Sequence, residues 1–401
     1  MLLVDVETVK KLASNYRDDL LKMSKDIHDH PELRFEEERA STQLSDFLAR
    51  NGFEVTRGVA DMPTAFKGIR RIGSGNGPQI AVFAEFDALA GIGHACGHNI
   101  IATAGVGGAV LAARYLESRD GVNGSVVCLG SPGEEGGGGK IKMIEAGLLD
   151  GIDAAIMIHP AGDDEVVRPN LGRLSLEVEF QGRASHAASA PEMGLNALDA
   201  STIFLVSIGL LRQQLRSDSR VHAIILEGGD AVNVIPERTR LRVFVRSSDW
   251  EYLQERLLVA VHQIAEGAAM ASGTKAVVRE TAPAYQSMVS NSTIASMCYD
   301  VFLQVGRSPG DPAVSARSVS SAGSTDMGNV SRVVPAIHPY IGIGSGIPGH
   351  TREFEAAAGG EAGMRGVIDG AIILGSTAAE LLADEMLLSE AKAEFSQYAT
   401  L

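Results

Sequence analysis

The chain is poor in cysteine: Cys96, Cys128 and Cys298 are the only three in 401 residues. Three widely spaced thiols, an odd number, make no disulfide framework, and a reducing compartment is the simpler expectation. Basic residues are also scarce. There are 35 Lys and Arg against 50 Asp and Glu, a formal charge of −15. Such a surface repels phosphate backbones and anionic lipid, so neither nucleic acid nor membrane is an expected partner. A local basic pocket for a small anionic substrate is still compatible with that average. The opening segment, MLLVDVETVKKLASNYRDDLLKM, scatters charges throughout and lacks the apolar core of a signal peptide. The most apolar helical stretch noted, residues 203–211, is too short for a bilayer. Together these absences predict a cytoplasmic protein. The sequence contains no repeat, low-complexity tract or long charge run.

What is present reads as a globular chain. Hydrophobic residues make up 45% and charged residues 21%, enough apolar surface for more than one core. Val9, Leu12, Leu20, Leu21 and Ile27 recur at turn-like spacing, predicting helix over the first thirty residues, ended by Pro31. A second helix is expected over residues 36–51, closed by Gly52. Residues 80–87, 125–131 and 154–159 are short apolar runs bounded by Gly, Pro or Asp, which read as buried strands. Helical patterns at 100–116 and 140–146 lie between them. Alternating strands and helices imply an α/β domain with a mostly parallel sheet flanked by helices.

The pattern changes from Leu174. A strictly alternating strand at 174–180 is followed by a helix at 196–216, strands at 222–227 and 240–245, a helix at 251–271 and a strand at 275–279. This β-α-β-β-α-β order is ferredoxin-like, an α+β unit. A helix at 292–304, a strand at 337–343 and a long helix at 361–386 then resume the first pattern. The expected layout is one α/β domain, residues 1–172 and 283–401, interrupted by an inserted α+β domain, residues 173–282.

Ligands bind at the carboxyl ends of strands in open α/β sheets. Four predicted strand ends carry metal-ligand residue types. The first leads through Asp87 into HACGHN, with His94, Cys96 and His98 within five residues. Imidazole and thiolate are strong ligands for divalent transition metals. One histidine there would read as incidental; three such residues at a strand-to-helix junction do not. The second strand leads into SPGEEGGGGK, with Glu134 and Glu135. An acidic loop is ordinarily just solvated. Here it follows an apolar strand, and its glycines allow another group to approach. One carboxylate can then bind metal while its neighbour faces a water as general base. His159 ends the third strand, and His350 lies in GIPGHT after the last. Each alone reads as an ordinary histidine. Cys96, His98, Glu135, His159 and His350 together exceed the three or four ligands of one zinc site. Shared between two ions they fit a binuclear site, with Glu134 beside it.

Other motifs fail. GEEGGGGKI has the wrong glycine spacing for a phosphate loop, and Ile141 replaces the required Ser or Thr. Gly344, Gly346 and Gly349 match a dinucleotide pattern literally, but Pro348 interrupts it and no helix pattern follows. No G-x-S-x-G nucleophile elbow is present.

These segments, with IHDHPEL, GRASHAASAPEMGLNALDA, AVNVIPE and STDMGNVS, resemble the binuclear metallohydrolases that include aminoacylases and carboxypeptidase G-type enzymes. The likeness is greatest to the amidohydrolase branch of aminobenzoyl-glutamate hydrolases, indole-acetyl amino acid hydrolases and β-alanyl-lysine dipeptidases. It implies a catalytic domain with an inserted dimerisation domain, hence a homodimer. It also implies two divalent ions (zinc, manganese or cobalt) on Cys96, His98, Glu135, His159 and His350, with Cys96 a bridge. By the same resemblance Glu134 is the general base. His186 reaches the partner subunit's site to support the oxyanion, and Asn233 and Asp326 line the substrate pocket. The carboxypeptidase branch has a histidine two residues before Asp87; here that residue is Glu85. Asp87 is therefore expected to support the ligands rather than bind metal, and His94 has no assigned role. The implied reaction is hydrolysis of an N-acyl amino acid, an aminobenzoyl-glutamate-like compound or a small dipeptide. The alternatives are a metal-stabilised binding or regulatory protein, and a hydrolase of another C–N bond.

Overall fold

The computed structural model describes residues 2–315 and 323–399. Its strands are β1 (Glu54–Arg57), β2 (Phe66–Ile72), β3 (Gln79–Glu85), β4 (Gly124–Ser131), β5 (Ala154–Ile156), β6 (His159–Ala161), β7 (Gly172–Gln181), β8 (Arg220–Glu227), β9 (Arg238–Ser247), β10 (Lys275–Glu280), β11 (Ala336–Ile337) and β12 (Tyr340–Gly342). The chain divides into two compact units. One comprises Met1–Pro169, Met288–Ser321 and Asp326–Leu401; the other comprises Asn170–Ser287 and Ala322–Thr325.

The first unit holds a six-stranded sheet in the order β1-β2-β4-β3-β5-β11. Strands β4, β3, β5 and β11 run parallel, and β2 and β1 are added antiparallel at one edge. The two antiparallel strands, EVTR and FKGIRRI, have no counterpart in the sequence reading. Their charged, partly exposed side chains hide the apolar runs that mark the central strands. The predicted strand at 337–343 is broken into β11 and β12, because Pro339 has no N–H to give a ladder. Its parallel neighbour divides likewise into β5 and β6, and β6 pairs β12 in a separate two-stranded sheet.

The core of this unit is a pair of long helices, His98–Leu116 and Glu361–Ala383, packed on the sheet and on each other. By length and composition both could cross a membrane; the sequence reading, which looked to the more apolar but shorter stretch at residues 203–211, did not single them out. They are 94% and 89% buried inside the fold. Small residues at the crossing let the backbones close: a Cβ on Gly108 would lie 2.6 Å from Leu374 Cβ, and one on Gly375 would lie 2.9 Å from Leu111 Cβ. Two expected single helices are divided. The N-terminal one is Val6–Ser14 then Arg17–Asp29. The C-terminal one stops at Ala383, where extended Asp384 accepts from the N–H groups of Met386 and Leu387 and starts Glu385–Ala399.

The second unit is a four-stranded antiparallel sheet, β10-β7-β9-β8, packed against helices Ala197–Leu211 and Val259–Ser272. Strand β9 alternates strictly, burying Thr239, Leu241, Val243, Val245 and Ser247. That alternation puts one face on the helices and leaves the other outward. Asn196 caps the first helix by accepting from Leu198 N–H.

Candidate metal centre

The candidate site lies in the first unit, at the carboxyl ends of β3, β4 and β5 and in the loop after β12. Each donor is placed by a local device. After β3 the chain turns through residues 89–97 and enters the helix His98–Leu116 at Gly97, whose φ is +76°. A Cβ there would meet Pro160 Cγ at 2.4 Å, so only glycine lets Cys96 and His98 sit against the end of β6. After β4 the loop 132–138 turns into the helix Gly139–Glu145. A Cβ on Gly139 would lie 1.8 Å from Pro132 O, which fixes glycine at that close pass. His350 adopts a left-handed φ of 63°, and its N–H donates to Ala95 O at 2.8 Å. For a non-glycine residue that conformation costs about 1–3 kcal/mol, held here by the surrounding contacts.

The five expected ligands converge. Donor atoms of Cys96, His98 and His159 lie within 4.8 Å of one another, as do those of Cys96, Glu135 and His350. The two sets share Cys96. Cys96 Sγ is 3.5 Å from His159 Nε2, and His350 Nε2 is 3.4 Å from Glu135 Oε1. Asp87 organises the donors around it. Its carboxylate accepts from His98 Nδ1 at 3.2 Å and from the N–H groups of Glu134 and Glu135 at 3.1 and 2.8 Å. His159 Nδ1 lies 2.7 Å from Pro160 O. In both imidazoles the outer bond fixes a proton on Nδ1 and turns Nε2 inward, where a metal would take its lone pair, the arrangement of metal-ligating histidines. His98 Nε2 and Glu135 Oε1 are buried without a hydrogen bond. Orphaned acceptors of this kind are costly in a dry interior unless a cation takes them. A thiol, imidazoles and a carboxylate thus form two overlapping sets of three that fit two divalent ions.

Charge at the site follows burial and crowding. Burial pushes the Cys96 thiol up to about 12, a cost that a bound cation reverses. Burial, together with Glu85, Asp326 and Glu135, holds the Glu134 carboxyl well above its usual range. Burial pulls His159 down to about 4, which keeps it neutral. For His98 burial acts downward, but Glu85, the Cys96 sulfur and Asp87 outweigh it and hold the imidazole well above its ordinary value.

The other expected residues are placed differently. Asp326 is fully buried, and Lys140 takes both of its oxygens, through N–H at 3.0 Å and Nζ at 2.7 Å. The expectation was that Asp326 lines the substrate pocket; in this structure its two oxygens are engaged by Lys140. His94 is buried, stacked 6.3 Å from His28, and outside both donor sets. His186 and Asn233 belong to the second unit and are exposed there. His186 Nδ1 accepts from the N–H groups of Ala188 and Ser189, both at 3.2 Å, so Nε2 carries the proton and is a donor. Asn233 O accepts from Ala187 N–H at 3.0 Å, tying the two loops together.

Three supporting residues escaped the sequence reading. Glu37 is buried and accepts from Gly133 N–H at 2.9 Å and Thr64 Oγ1 at 3.0 Å, bracing the glutamate loop. Inside FEEE it reads as a solvated helix start. His338 is buried beside His159, with ring centroids 5.6 Å apart. Lys140 is fully buried between Glu85 and Asp326. A lysine in the first turn of a helix opposes the macrodipole, a signal that it answers to other charges.

Residues 81–365 match the family described as peptidase family M20/M25/M40. The chain is 35% identical to the Xaa-Arg dipeptidase of Mus musculus, over 98% of this chain and 93% of that one. The chain belongs to this peptidase family. It is a metal-dependent hydrolase of amide bonds, which sets aside the reading as a binding or regulatory protein. It is also 35% identical to one of the subunits of the p-aminobenzoyl-glutamate hydrolase of Escherichia coli (strain K12), over 70% of this chain and 61% of that one. Its fold is similar to that of a Bacillus subtilis dinuclear metal binding peptidase from the M20 family. The TM-score is 0.70 at 20% identity, covering 92% of this chain and 99% of that one.

Proposed function

We propose that this family member hydrolyses a dipeptide or N-acyl amino acid at a centre of two divalent ions held by Cys96, His98, Glu135, His159 and His350. One observation carries the reading: five donors from four separate segments form two triads that share a thiol. The mixed nitrogen, oxygen and sulfur set suits zinc, manganese or cobalt. When bound, such ions supply Lewis acidity, polarising the scissile carbonyl and lowering the pKa of water. Glu134 is the general base and later the acid. It receives the proton of the attacking water and hands it to the leaving amine. Asp87 and Glu37 position the loop that carries Glu134. His186 offers its Nε2–H from the partner subunit to the developing oxyanion. Asn233 contacts the substrate, and Asp326 acts through Lys140.

The inserted domain, residues 173–282, is the dimerisation module of a homodimer, and residues 1–172 and 283–401 form the catalytic domain. Two features of the second unit support pairing with a second copy. Strand β8 is a sheet edge, and its Ile224, Ile225 and Leu226 are exposed beside Val206 and Leu210 of the neighbouring helix. Unpaired edges with apolar side chains are association sites. The three free thiols support a cytoplasmic location. Among substrates, the match over 98% of the chain to an Xaa-Arg dipeptidase favours dipeptides ending in a basic residue. The test is a panel of such dipeptides, N-acyl amino acids and aminobenzoyl-glutamate, assayed with added manganese, zinc or cobalt. Preferential cleavage of basic dipeptides supports the reading. Preference for another panel member moves the substrate class, and no cleavage with any metal removes the reading.

A further inference from the structure

Beneath the five donors lies a second polar cluster, composed of Glu85 at the end of β3, Lys140 and Asp326. Each is at most 1% exposed. Lys140 Nζ donates to Glu85 Oε2 and to Asp326 Oδ1. Two carboxylates around one ammonium leave one negative charge in excess, inside the protein. His98, whose Nε2 lies 3.3 Å from Glu85 Oε1, offsets that charge as an imidazolium, and a bound cation would take the place of its proton. The position for it is marked. Lys140 occupies only one Glu85 oxygen, and the other, Oε1, makes no hydrogen bond. Glu85 Oε1 lies 3.3 Å from His98 Nε2, which also makes none. Asp87 accepts the His98 Nδ1 proton in a hydrogen bond, so Nε2 and Glu85 Oε1 face each other as the two atoms that a cation would join once it displaces any proton on Nε2. Ligand atoms at about 2.1 Å from one ion stand roughly 3–3.5 Å apart, the spacing found. A carboxylate oxygen of Glu134 completes a set of donors within 4.8 Å of one another.

We propose that Glu85 is a further ligand of the ion held by His98, and that Lys140 is the positioning residue that turns one Glu85 oxygen toward it. The inference rests on the two-ion reading above. That ion then gains Glu85, a fully buried charged donor, beside His98, and is closed on that side. The other carries Cys96, Glu135 and His350, whose side chain is 55% exposed, and stays open. Closed sites hold an ion more tightly than open ones, so the two ions differ in affinity.

The test is zinc binding to metal-free protein, titrated against a chromophoric chelator, with cobalt absorption as a second readout. Wild type should bind two ions in a tight and a weak class. Glu85→Gln keeps Asp326 as the partner of Lys140 and should weaken the tight class about 100-fold, leaving the weak class unchanged. Its cobalt spectrum should change in intensity, because the coordination number falls. Lys140→Met should weaken the same class about 10–100-fold, the scale of a lost supporting contact. Asp326→Asn leaves the Lys140–Glu85 contact in place and should change zinc affinity by less than about 5-fold. Should Glu85→Gln fail to fold by far-UV circular dichroism, Glu85→Asp keeps the charge but withdraws the oxygen by one methylene, and the same loss is expected. A folded Glu85 variant that binds both ions with wild-type affinity and an unchanged cobalt spectrum overturns the proposal and leaves the two-ion reading standing. Wild-type protein that binds no zinc overturns both.

Discussion

Replacing Lys140 with methionine isolates the energetic weight of the buried cluster. Methionine fills nearly the same volume, so no cavity confounds the result, and only the ammonium is lost. Lys140, Glu85 and Asp326 are all buried to within 1%, and Nζ lies 2.7 Å from Asp326 Oδ1 and in contact with Glu85 Oε2. Removing one partner from a buried ion pair leaves an uncompensated charge and costs about 3–5 kcal/mol. Here two carboxylates are left, so the upper end of that range is expected for metal-free protein. An exposed pair serves as control. Arg57 and Asp46 are 47% and 50% exposed, and Arg57→Met should shift stability by less than about 1 kcal/mol. The assay is urea denaturation of metal-free proteins followed by far-UV circular dichroism. The single tryptophan, Trp250, lies in the other unit and cannot follow this transition. The pH dependence supplies a second signature. Without Lys140, burial raises both carboxyls above their unfolded values. The fold then binds more protons than the unfolded chain, and the deficit shrinks as pH falls through those raised values. A Lys140→Met protein within about 1 kcal/mol of wild type at neutral pH would refute the reasoning.

Glu134→Gln should retain both ions and lose about 10²–10⁴-fold in kcat, measured as turnover alongside metal content; substantial residual turnover in the metal-loaded variant removes Glu134 as the base. Burial lowers His94 to about 3 and His159 to about 4, below the ordinary 6.5, so the fold binds fewer protons than the unfolded chain between those values. Relative to wild type, metal-free His94→Phe should therefore gain Tm as pH falls from about 6.5 toward 4. Gly139→Ala should cost about 1–3 kcal/mol, because its Cβ meets the Pro132 carbonyl oxygen at 1.8 Å; an unchanged denaturation midpoint would show that the loop has slack.

The candidate site was more legible in the sequence than the sheet was. Cys96, His98, Glu135 and His159 could be found because buried parallel strands announce themselves as apolar runs and donors follow their ends. The ferredoxin-like unit was legible for a related reason: β9 alternates with period two over its whole length. Strands β1 and β2 were not, since the four-residue edge strand β1 is mostly exposed, and Lys67, Arg70 and Arg71 interrupt the apolar run of β2. Helix breaks at Asn15 and Asp384 were missed because apolar periodicity persists across a one- or two-residue interruption. Lys140 and Glu37 escaped for a different reason. Charged residues are almost always exposed, and only the three-dimensional meeting of Lys140 with Glu85 and Asp326, or of Glu37 with Gly133 N–H, explains their burial. Asp326 illustrates the converse, a residue expected at the substrate by resemblance whose oxygens are engaged by Lys140.

Metal content of purified, metal-reconstituted protein tests the two-ion assignment most directly, read for wild type and for His350→Ala together. The donor sets require two divalent ions per wild-type chain and one in His350→Ala, whose remaining ion rests on Cys96, His98 and His159. Wild-type protein holding no more than one ion, or His350→Ala holding two with unchanged affinity, would contradict it.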